Sequence, residues 1–368
     1  MENEIIKDSD KFPCPSCGGN MHFDPASAML KCEYCDSTVN FERLKDEIKE
    51  YDFSKVDEQM SDVNEWSGDA VNIKCESCGA QTVITDDTIS RECAFCGSSH
   101  IVKQEEMKGI SPESVIPFSI TKKQADGILG KWIGKRMMAP RKLKTESVKD
   151  RFKGMYIPYW TYDSDTVYTY TAQAGDYYYV TETTRDASGK QVTQQVRKIR
   201  WRMVSGSSAR YFDDVQVYAT TKVDNNLLRR TEPYTLGKLQ PFQAQFLSGF
   251  NAERYSVDVK TGWQKAEGYI MDALREDVRR MVVADEVRNI VLNVHHKEIR
   301  YKHILVPLWL AGYTYAGKKY QVMVNGENGK LAGKAPISAW KVIFLILGIA
   351  AFIALMYYLF MSGGAPVA

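Results

Sequence analysis

Cysteines occur in this 368-residue sequence only as four Cys-x-x-Cys pairs. The pairs form two sets with one spacing, because fourteen residues separate the inner cysteines in each set. Zn²⁺ prefers four thiolates in a tetrahedron, and a Cys-x-x-Cys turn supplies two of them from one tight backbone loop. The pattern predicts two four-cysteine zinc ribbons with one ion each, held by Cys14, Cys17, Cys32 and Cys35 and by Cys75, Cys78, Cys93 and Cys96.

The residues beside the cysteines agree with such turns. Gly18, Gly79 and Gly97 follow second cysteines, where the chain must turn back with positive φ, and Asp36 holds the fourth such place. A disulfide framework is the alternative for an even number of cysteines. The first residues, MENEIIKDSDKF, are polar and contain no apolar stretch, so we expect no secretory signal and favour metal.

Charge bears on what the ribbons bind. Residues 11–40 carry a net charge of −1 and residues 71–101 a net charge of −2, before thiolates and metal are counted. Phosphate backbones are bound by positive surfaces, so the ribbons are not expected to bind nucleic acid. Contact with proteins, or a purely structural role, is favoured.

Patterns typical of catalysis are missing from the sequence. There is no phosphate-binding G-x-x-x-x-G-K-[ST], no G-x-S-x-G and no H-E-x-x-H. Asp213 and Asp214 are neighbours in a β-prone segment, so their side chains are expected to point apart. We expect structural or solvated roles for the histidines, which are His22, His100, His295, His296 and His303. The sequence therefore predicts no enzyme and no catalytic or cofactor-binding residue, although a hidden site lined by Tyr156, Trp160 and Trp309 stays an alternative.

An uncharged segment lies near the end of the chain. The nineteen residues from Val342 to Phe360 would form a helix of about 28 Å, which matches the hydrocarbon core of a bilayer. We predict a single transmembrane helix over residues 342–361 that serves as a tail anchor in the cell membrane. Basic residues precede this helix and none follows it in MSGGAPVA, so the positive-inside rule places the N-terminal region in the cytoplasm.

The remaining segments are divided by charge and strand propensity. Ribbon 1 is expected at residues 11–40 and ribbon 2 at residues 71–103, with an acidic linker at 41–70 that forms a solvated helix or flexible spacer. Residues 104–153 are expected to form a basic amphipathic helical segment, whose helix begins near Thr121 and ends before Pro140. Its basic face is either an ordinary solvated surface or a contact with anionic lipid or nucleic acid.

Residues 154–333 are rich in tyrosine, threonine and valine and are expected to form a β-rich body. One long amphipathic helix is predicted within residues 263–285, with Ile270, Leu274, Val278 and Met281 on its apolar face. Two parts of the chain look alike: IPF followed by KGMYIPYW, and QPF followed by KHILVPLW. The fold class predicted is α+β, with two small zinc ribbons, a β-rich body with a possible internal duplication, and one C-terminal transmembrane helix.

The ordered motifs CPSCGG, CEYCDS, CESCGA, CAFCGS, VIPFSITKKQA, GMYIPYW, ILVPLW and VNGENGKLAGKAP, followed by one apolar span, resemble the transcription factor IIB-type zinc-ribbon membrane proteins of Firmicutes. Members of this family sometimes carry the name of the replication-restart helicase PriA, but the nucleotide-binding motifs that a helicase needs are missing here. The resemblance covers nearly the whole chain, and the family's ribbon cysteines match the eight cysteines given above.

The resemblance implies a membrane-stress complex with a second membrane protein, a stomatin/flotillin-type protein and a phage-shock protein A homologue. The function expected is therefore a membrane-tethered adaptor or scaffold that recruits cytoplasmic proteins to the membrane. The alternative is a membrane-anchored nucleic-acid-binding or transcription-associated protein that uses the basic residues from Arg136 to Lys153.

Overall fold

The first cysteine set builds a small separate sheet. In the computed structural model, ribbon 1 consists of strands β1 (Met21–Asp24), β2 (Met29–Cys32) and β3 (Thr38–Val39), which pair antiparallel in that order. Met21 and Phe23 of β1 are buried while their neighbours are half-buried, as expected for a strand with one face on a core. The structure describes residues 12–44, 46–61, 71–84, 93–96, 98, 101–104, 109–140, 152–185, 189, 191–315 and 318–362.

The acidic linker, called here the connector, follows ribbon 1. It contains β4 (Tyr51–Asp52), a 3₁₀ turn (Phe53–Lys55) and helix α1 (Val56–Ser61). The Phe41 ring packs edge-on against Phe246 at 5.3 Å, and β4 pairs with a strand of the body. Phe53 packs against Trp263. The described part of the connector thus lies on the body, which differs from the expected solvated helix or flexible spacer; residues 45 and 62–70 lie outside the described residues.

The second cysteine set belongs to the main sheet of the protein. Ribbon 2 contributes β5 (Val71–Cys75), β6 (Gln81–Ile84) and β7 (Ile101–Gln104). Its strand β6 pairs antiparallel with a strand of the body, with Val83 opposite Ala252. Ribbon 2 is therefore an extension of the body sheet and not a separate domain on a tether.

The body combines long strands with a few helices. In chain order the elements are β8 (Ser114–Val115), α2 (Lys122–Gly134), β9 (Lys153–Arg185), β10 (Gln191–Tyr218), α3 (Asn225–Thr231), β11 (Gln240–Pro241), β12 (Asn251–Glu253), α4 (Val259–Met281), β13 (Glu286–Tyr315), β14 (Lys318–Asn325), β15 (Leu331–Gly333) and α5 (Ala339–Ser362). The main sheet runs in the order β11-β8-β13-β9-β12-β6-β5-β7, with β10 beside β9 and β14 beside β13. The predicted α+β class with a β-rich body is confirmed.

Helices α2 and α4 begin at side-chain caps. Thr121 forms a capping box with Gln124 at the start of α2, and Asp258 accepts a hydrogen bond from the Thr261 N–H at the start of α4. The predicted start of the first helix near Thr121 and its end before Pro140 are confirmed, whereas residues 141–151 of the basic segment lie outside the described residues. Helix α4 buries three of the four predicted apolar residues, but Met281, in its last turn, is exposed.

The centre of the sheet has approximate two-fold pairing. β9 and β13 run antiparallel, with Ile157 opposite Val306. On one side β8 pairs parallel with β13, with Ser114 opposite Ile304. On the other side β12 pairs parallel with β9, with Asn251 opposite Met155. Each half of the centre thus reads as a short strand, a helix, a long strand and a returning strand.

Two tryptophans link these halves. The Trp309 indole N–H donates to the Ile120 carbonyl at 2.8 Å, and the Trp160 indole N–H donates to the Val257 carbonyl at 2.9 Å. Both acceptors lie one residue before a helix cap, so each half supplies the tryptophan that fixes the start of the other half's helix. If Ile120 and Val257 are matched as the two acceptors, residues 116–118 (IPF) correspond in position to residues 253–255. The QPF segment, which the sequence comparison matched to IPF, instead begins in β11, and this strand pairs with β8.

Beyond the centre, three strands continue as a long projection, called here the blade, formed by residues 165–185, 191–211 and 286–297. Helix α4 packs on one face, where Ile270 and Leu274 meet the cluster that holds Tyr168. The other face is open, and Met203 is 68% exposed on it. β10 pairs only with β9 among the described strands, and its edge carries several basic side chains, which disfavour edge-to-edge aggregation.

Helix α5 stands apart from the core. Its segment Trp340–Phe360 has a mean hydropathy of 2.6, and none of it is buried. It is long and apolar enough to cross a membrane. No other helix in the described part of the chain meets that description.

Two glycines of α4 test the packing between this helix and the sheet. A methyl group at Gly262 would overlap the Tyr162 hydroxyl and lie 2.9 Å from Trp160 Cδ1, whereas a methyl group at Gly268 meets no atom within 4 Å. The Tyr162 hydroxyl cannot withdraw freely, because it donates to the Val259 carbonyl at 2.6 Å. We expect Gly262→Ala to lower the free energy of unfolding by about 1–3 kcal/mol. Gly268→Ala should raise it by up to about 1 kcal/mol.

Chemical denaturation of the full-length protein in detergent would measure both variants. Equal effects of the two substitutions would contradict the close packing described for Gly262.

Candidate metal centres

Ribbon 1 brings its four cysteines to one point. Cys14 Sγ lies 3.5 Å from Cys35 Sγ, and Cys17 Sγ lies 3.5 Å from Cys32 Sγ. All four sulfur atoms lie within 4.8 Å of one another. A tetrahedron with metal–sulfur bonds of about 2.3 Å has sulfur–sulfur edges of about 3.8 Å, so the cluster has room for one ion. These separations are far longer than a disulfide bond of about 2.05 Å.

Ribbon 2 repeats this arrangement. Cys75 Sγ lies 3.7 Å from Cys96 Sγ, and Cys78 Sγ lies 3.7 Å from Cys93 Sγ, again with all four atoms within 4.8 Å. The eight cysteines identified in the sequence therefore form two clusters that could each hold a metal ion. The eight thiols are free of disulfides.

Backbone geometry forms the turns that aim the sulfurs. The Gly18 N–H donates to the Cys14 carbonyl at 2.8 Å, and the Gly79 N–H donates to the Cys75 carbonyl at 2.7 Å. Positive φ, as expected, is found at Gly18 (73°), Gly79 (69°) and Asp36 (56°). Gly97 lies outside the described residues.

A serine pair joins the two turns of each ribbon, and the sequence reasoning missed it. Ser37 donates to Ser16 at 3.2 Å in ribbon 1, and Ser77 and Ser98 are 2.7 Å apart in ribbon 2. The repeat of these serines at the same places in both sets was the available signal. The Ser37 side chain, 3.1 Å from Cys35 Sγ, acts together with the Ser37 backbone and the Cys14 and Cys17 thiols to lower the pKa of Cys35 to about 6, whereas the pKa of Cys17 is raised to about 12 within the same cluster.

The two cysteine clusters lie on opposite faces of the central sheet. Cys14 and Cys32 join the apolar cluster that contains Tyr156, while Cys75 joins the cluster that contains Ile157. Consecutive residues of a strand face opposite sides, so the two metal clusters lie on different sides of β9.

Their surfaces also differ. Tyr34 and Phe95 hold the same place between the last two cysteines of their sets, but Tyr34 is 80% exposed and Phe95 is 5% exposed. Phe95 packs in the cluster that contains Met323 of the body, and its carbonyl accepts from Gln321 Nε2 at 3.4 Å. The turn that ribbon 2 uses to contact the body is therefore open to solvent in ribbon 1.

A third cluster of side chains, this one of carboxylates, lies where the connector crosses the base of the blade. Glu50, Asp163 and Asp214 have carboxylate oxygens within 4.8 Å of one another. Lys302 Nζ lies 2.9 Å from the Glu50 carboxylate and 2.7 Å from that of Asp214, so an ammonium group already supplies the positive charge. We regard this group as a structural ion-pair network.

Asp163 and Asp214 of this network come together at a bulge. Asp214 has a φ of 53°, and its N–H donates to the Asp163 carboxylate at 2.7 Å. The bulge explains why Asp214 contributes to the cluster even though Asp213 is exposed. Burial, together with the Glu50 carboxyl group, raises the pKa of Asp163 to about 7.

The other residues considered from sequence lie in packed surroundings. Tyr156 and Trp160 are fully buried, and Trp309 is nearly so. Tyr156 and Trp309 belong to a different apolar cluster from Trp160, so the three rings do not line one pocket. Burial lowers the pKa of His303 to about 4, and its Nδ1 lies 3.0 Å from the Ile110 carbonyl.

The remaining histidines also lie outside any catalytic arrangement in the described part of the chain. His296 Nδ1 lies between the Ser164 and Thr166 hydroxyls at 3.2 and 3.1 Å. His22 lies beside Glu33 at 3.7 Å. His295 is exposed, and His100 lies outside the described residues.

Comparison with known proteins gives one distant relative at this point. The Bacillus subtilis (strain 168) protein named "Uncharacterized protein YdjG" is 28% identical over 366 residues, which cover 96% of this chain and 98% of the relative. No family model matches the chain, and no solved structure matches it. The similarity spans ribbons, body and C-terminal helix together and is not confined to one segment.

The two clusters should respond differently to loss of one ligand. Cys32→Ser and Cys93→Ser change matched buried cysteines, and each variant should keep about one metal equivalent per chain, measured by atomic spectroscopy. Because β6 pairs with β12 of the body, Cys93→Ser should lower the thermal midpoint of the body by at least about 4 °C more than Cys32→Ser. Equal midpoints would contradict a shared sheet.

The acidic network predicts a pH dependence of stability. Asp163 has a folded pKa of about 7 against an ordinary value of 3.8, so unfolding releases its proton between these values. The contribution of protonated Asp163 to the free energy of unfolding is fully present below about pH 4 and is lost as the pH rises through 7. The slope of the unfolding free energy against pH reports how many protons are released on unfolding. We expect Asp163→Asn to change this slope by the equivalent of up to about one proton in this window.

Urea midpoints measured across the same pH range would give the slope, with Asp213→Asn as the exposed neighbouring control. An unchanged slope in Asp163→Asn would show that another group carries the pH dependence.

Proposed function

We propose that this protein is a membrane-tethered zinc-ribbon adaptor that recruits cytoplasmic proteins to the membrane. In this proposal the eight cysteines hold two zinc ions, and helix α5 crosses the cell membrane once. The observation that carries the proposal is the exposed turn around Tyr34 in ribbon 1, at the place where ribbon 2 buries Phe95 against the body.

Zinc is favoured by the chemistry of the ligands. Four thiolates around a small tetrahedral space suit Zn²⁺ better than hard cations such as Mg²⁺ and Ca²⁺, which prefer oxygen. Structural zinc sites are closed, with all four positions filled by protein, and each cluster offers four sulfurs. The zinc would then stabilise the ribbons and carry out no chemistry of its own.

A single-pass anchor with a cytoplasmic N-terminal region is favoured by composition. Lysines are frequent before the uncharged span that begins at Val342, at Lys318, Lys319, Lys330, Lys334 and Lys341, and MSGGAPVA after the span carries no basic side chain. The same compartment keeps cysteines reduced, as metal binding requires. Two separate arguments thus favour one orientation.

Ribbon 1 has the features of a docking surface. The Tyr34 ring lies over Gly19, where a Cβ would be 2.5 Å from Tyr34 Cδ2, so the ring packs on the turn only because residue 19 is glycine. Tyrosine supplies a large contact area at a low cost in conformational entropy. Glu33 and Asp36 flank the ring with side chains that are 72% and 82% exposed, so we expect a partner with an apolar pocket bordered by positive charge.

A protein partner is favoured over nucleic acid, because this surface is acidic. The nucleic-acid alternative relies on residues 136–153, of which 141–151 lie outside the described residues. Membership of a membrane-stress complex, with the partners implied by the family resemblance, is part of the proposal. A role without catalysis is proposed because the titratable clusters of the described residues are paired internally or form metal clusters.

We also infer that the two halves of the body arose by internal duplication. The matched pairings of β8 with β13 and of β12 with β9 support this inference, as does the reciprocal use of Trp309 and Trp160.

The proposal is tested by capture of partners from detergent extracts with full-length protein. Tyr34→Ala should reduce the amount of at least one captured protein by about fivefold or more, because a central tyrosine of an interface is often worth more than 1 kcal/mol. Tyr179→Ala is the matched control, since Tyr179 is 64% exposed on the blade. Both variants should retain the full metal content. Equal amounts of every captured protein for the wild type and both variants would remove the recruiting role from this surface.

A further inference from the structure

The start of helix α5 is attached to the turn that follows α2. The Ser338 N–H donates to the Met138 carbonyl at 2.9 Å. Lys341 Nζ donates to the carbonyls of Met137 and Ala139 at 2.8 and 2.7 Å. These contacts fix the end of α2 beside the first turn of the candidate membrane helix.

Large apolar side chains are exposed on both sides of this attachment. Met137 is 75% exposed, Ile337 is 68% exposed and Trp340 is 71% exposed. Ala139 and Pro140, two and three residues after Met137, are buried, so the backbone that presents Met137 is held in place. Exposed apolar side chains next to a helix that crosses a membrane can be covered by the interfacial region of the bilayer instead of by water.

Cations border this apolar cluster. Lys131 in the last turn of α2 and Lys135 directly after this helix are exposed. The Arg136 guanidinium lies over the Trp132 ring at 3.9 Å. Residues 122–140 contain five basic side chains and one acidic side chain, Asp126. The nearest turns of α2 therefore present positive charge beside apolar residues, as interfacial segments do.

We propose that Lys131, Lys135, Arg136, Met137, Ile337 and Trp340 form one surface, called here the anchor-proximal patch, that lies on the cytoplasmic leaflet and binds anionic phospholipid headgroups. This inference rests on the proposed function in one respect, because it needs α5 to cross the bilayer. It goes beyond a simple anchor, since two attachment points would fix the orientation of the body above the membrane.

Lipid is the occupant that the geometry favours. Ile337 precedes α5 by two residues and Met137 is one residue from a carbonyl bound to Ser338, so both side chains lie at the depth where α5 enters the membrane. A protein partner at this place would have to displace lipid that is already present at very high local concentration. Each basic residue close to an anionic surface adds to binding, and salt screens this contribution.

The test uses the full-length protein in nanodiscs and pulsed hydroxyl-radical footprinting of methionines by mass spectrometry. One set of discs contains phosphatidylcholine alone and the other also contains phosphatidylglycerol. Met203 is the internal control, because it is 68% exposed on the blade and close in exposure to Met137. We expect phosphatidylglycerol to reduce oxidation of Met137 by at least about threefold, with no change at Met203, and high salt to reverse the effect.

Two charge-reversal variants separate a local site from general attraction. Lys131→Glu with Lys135→Glu should abolish the lipid-dependent protection of Met137. Arg200→Glu with Lys297→Glu makes the same change in net charge on exposed residues of the blade and should leave the protection intact.

Equal oxidation of Met137 in both kinds of disc would overturn the proposal, and so would equal effects of the two variants. Failure of the anchor itself is distinguishable, because a protein whose α5 does not cross the bilayer would be released from membranes by carbonate and would not co-purify with the discs.

Discussion

The antiparallel pairing of β9 with β13 is the constraint on which the rest of this structure depends. It sets Ile157 opposite Val306, and it thereby decides which side chains of both strands face each side of the sheet. A slip of one residue would place Tyr156 and Leu305, which now share the cluster with ribbon 1, on opposite faces of the sheet. Because the two cysteine clusters lie on different faces, this one register positions both of them.

Each ribbon is too small to form a sufficient core alone, so it depends on its contacts with the body, and a metal ion held by its cysteines would stabilise it further. Ribbon 1 adds Met21, Phe23 and Leu30 to the apolar cluster around Phe246 and Phe250. Ribbon 2 enters the sheet directly through β6. The metal clusters are thus built into the periphery of one folded unit and do not swing on a flexible connector.

Features that depend on neighbours in sequence could be predicted, and features that depend on distant partners could not. The cysteine clusters, the helix start at Thr121 and the apolar helix follow from spacing and caps over a few residues. Phe41 and Phe53 are isolated aromatics in an acidic segment, and nothing local shows that body aromatics surround them. Met281 fits a helical spacing, but the buried residues of α4 follow at intervals of four, so Val282 continues the apolar face and Met281 is left exposed. The counterpart of residues 116–118 was missed because its first two residues are Glu253 and Arg254 instead of apolar ones.

Those polar residues also show how the two ribbons differ in their attachment to the body. Arg254 is nearly buried and donates to Asn72 Oδ1 of ribbon 2 at 3.1 Å, while Lys222 of the body donates to the Cys78 carbonyl at 3.1 Å. Burial raises the pKa of Glu253, the last residue of β12, to about 8. Buried polar groups cost several kcal/mol when their partners leave, so these groups of the body are satisfied only while ribbon 2 is folded against them. Ribbon 1 is held mainly by apolar packing and leaves its cysteine turn in solvent, so it can present that turn to a partner without disturbing the sheet.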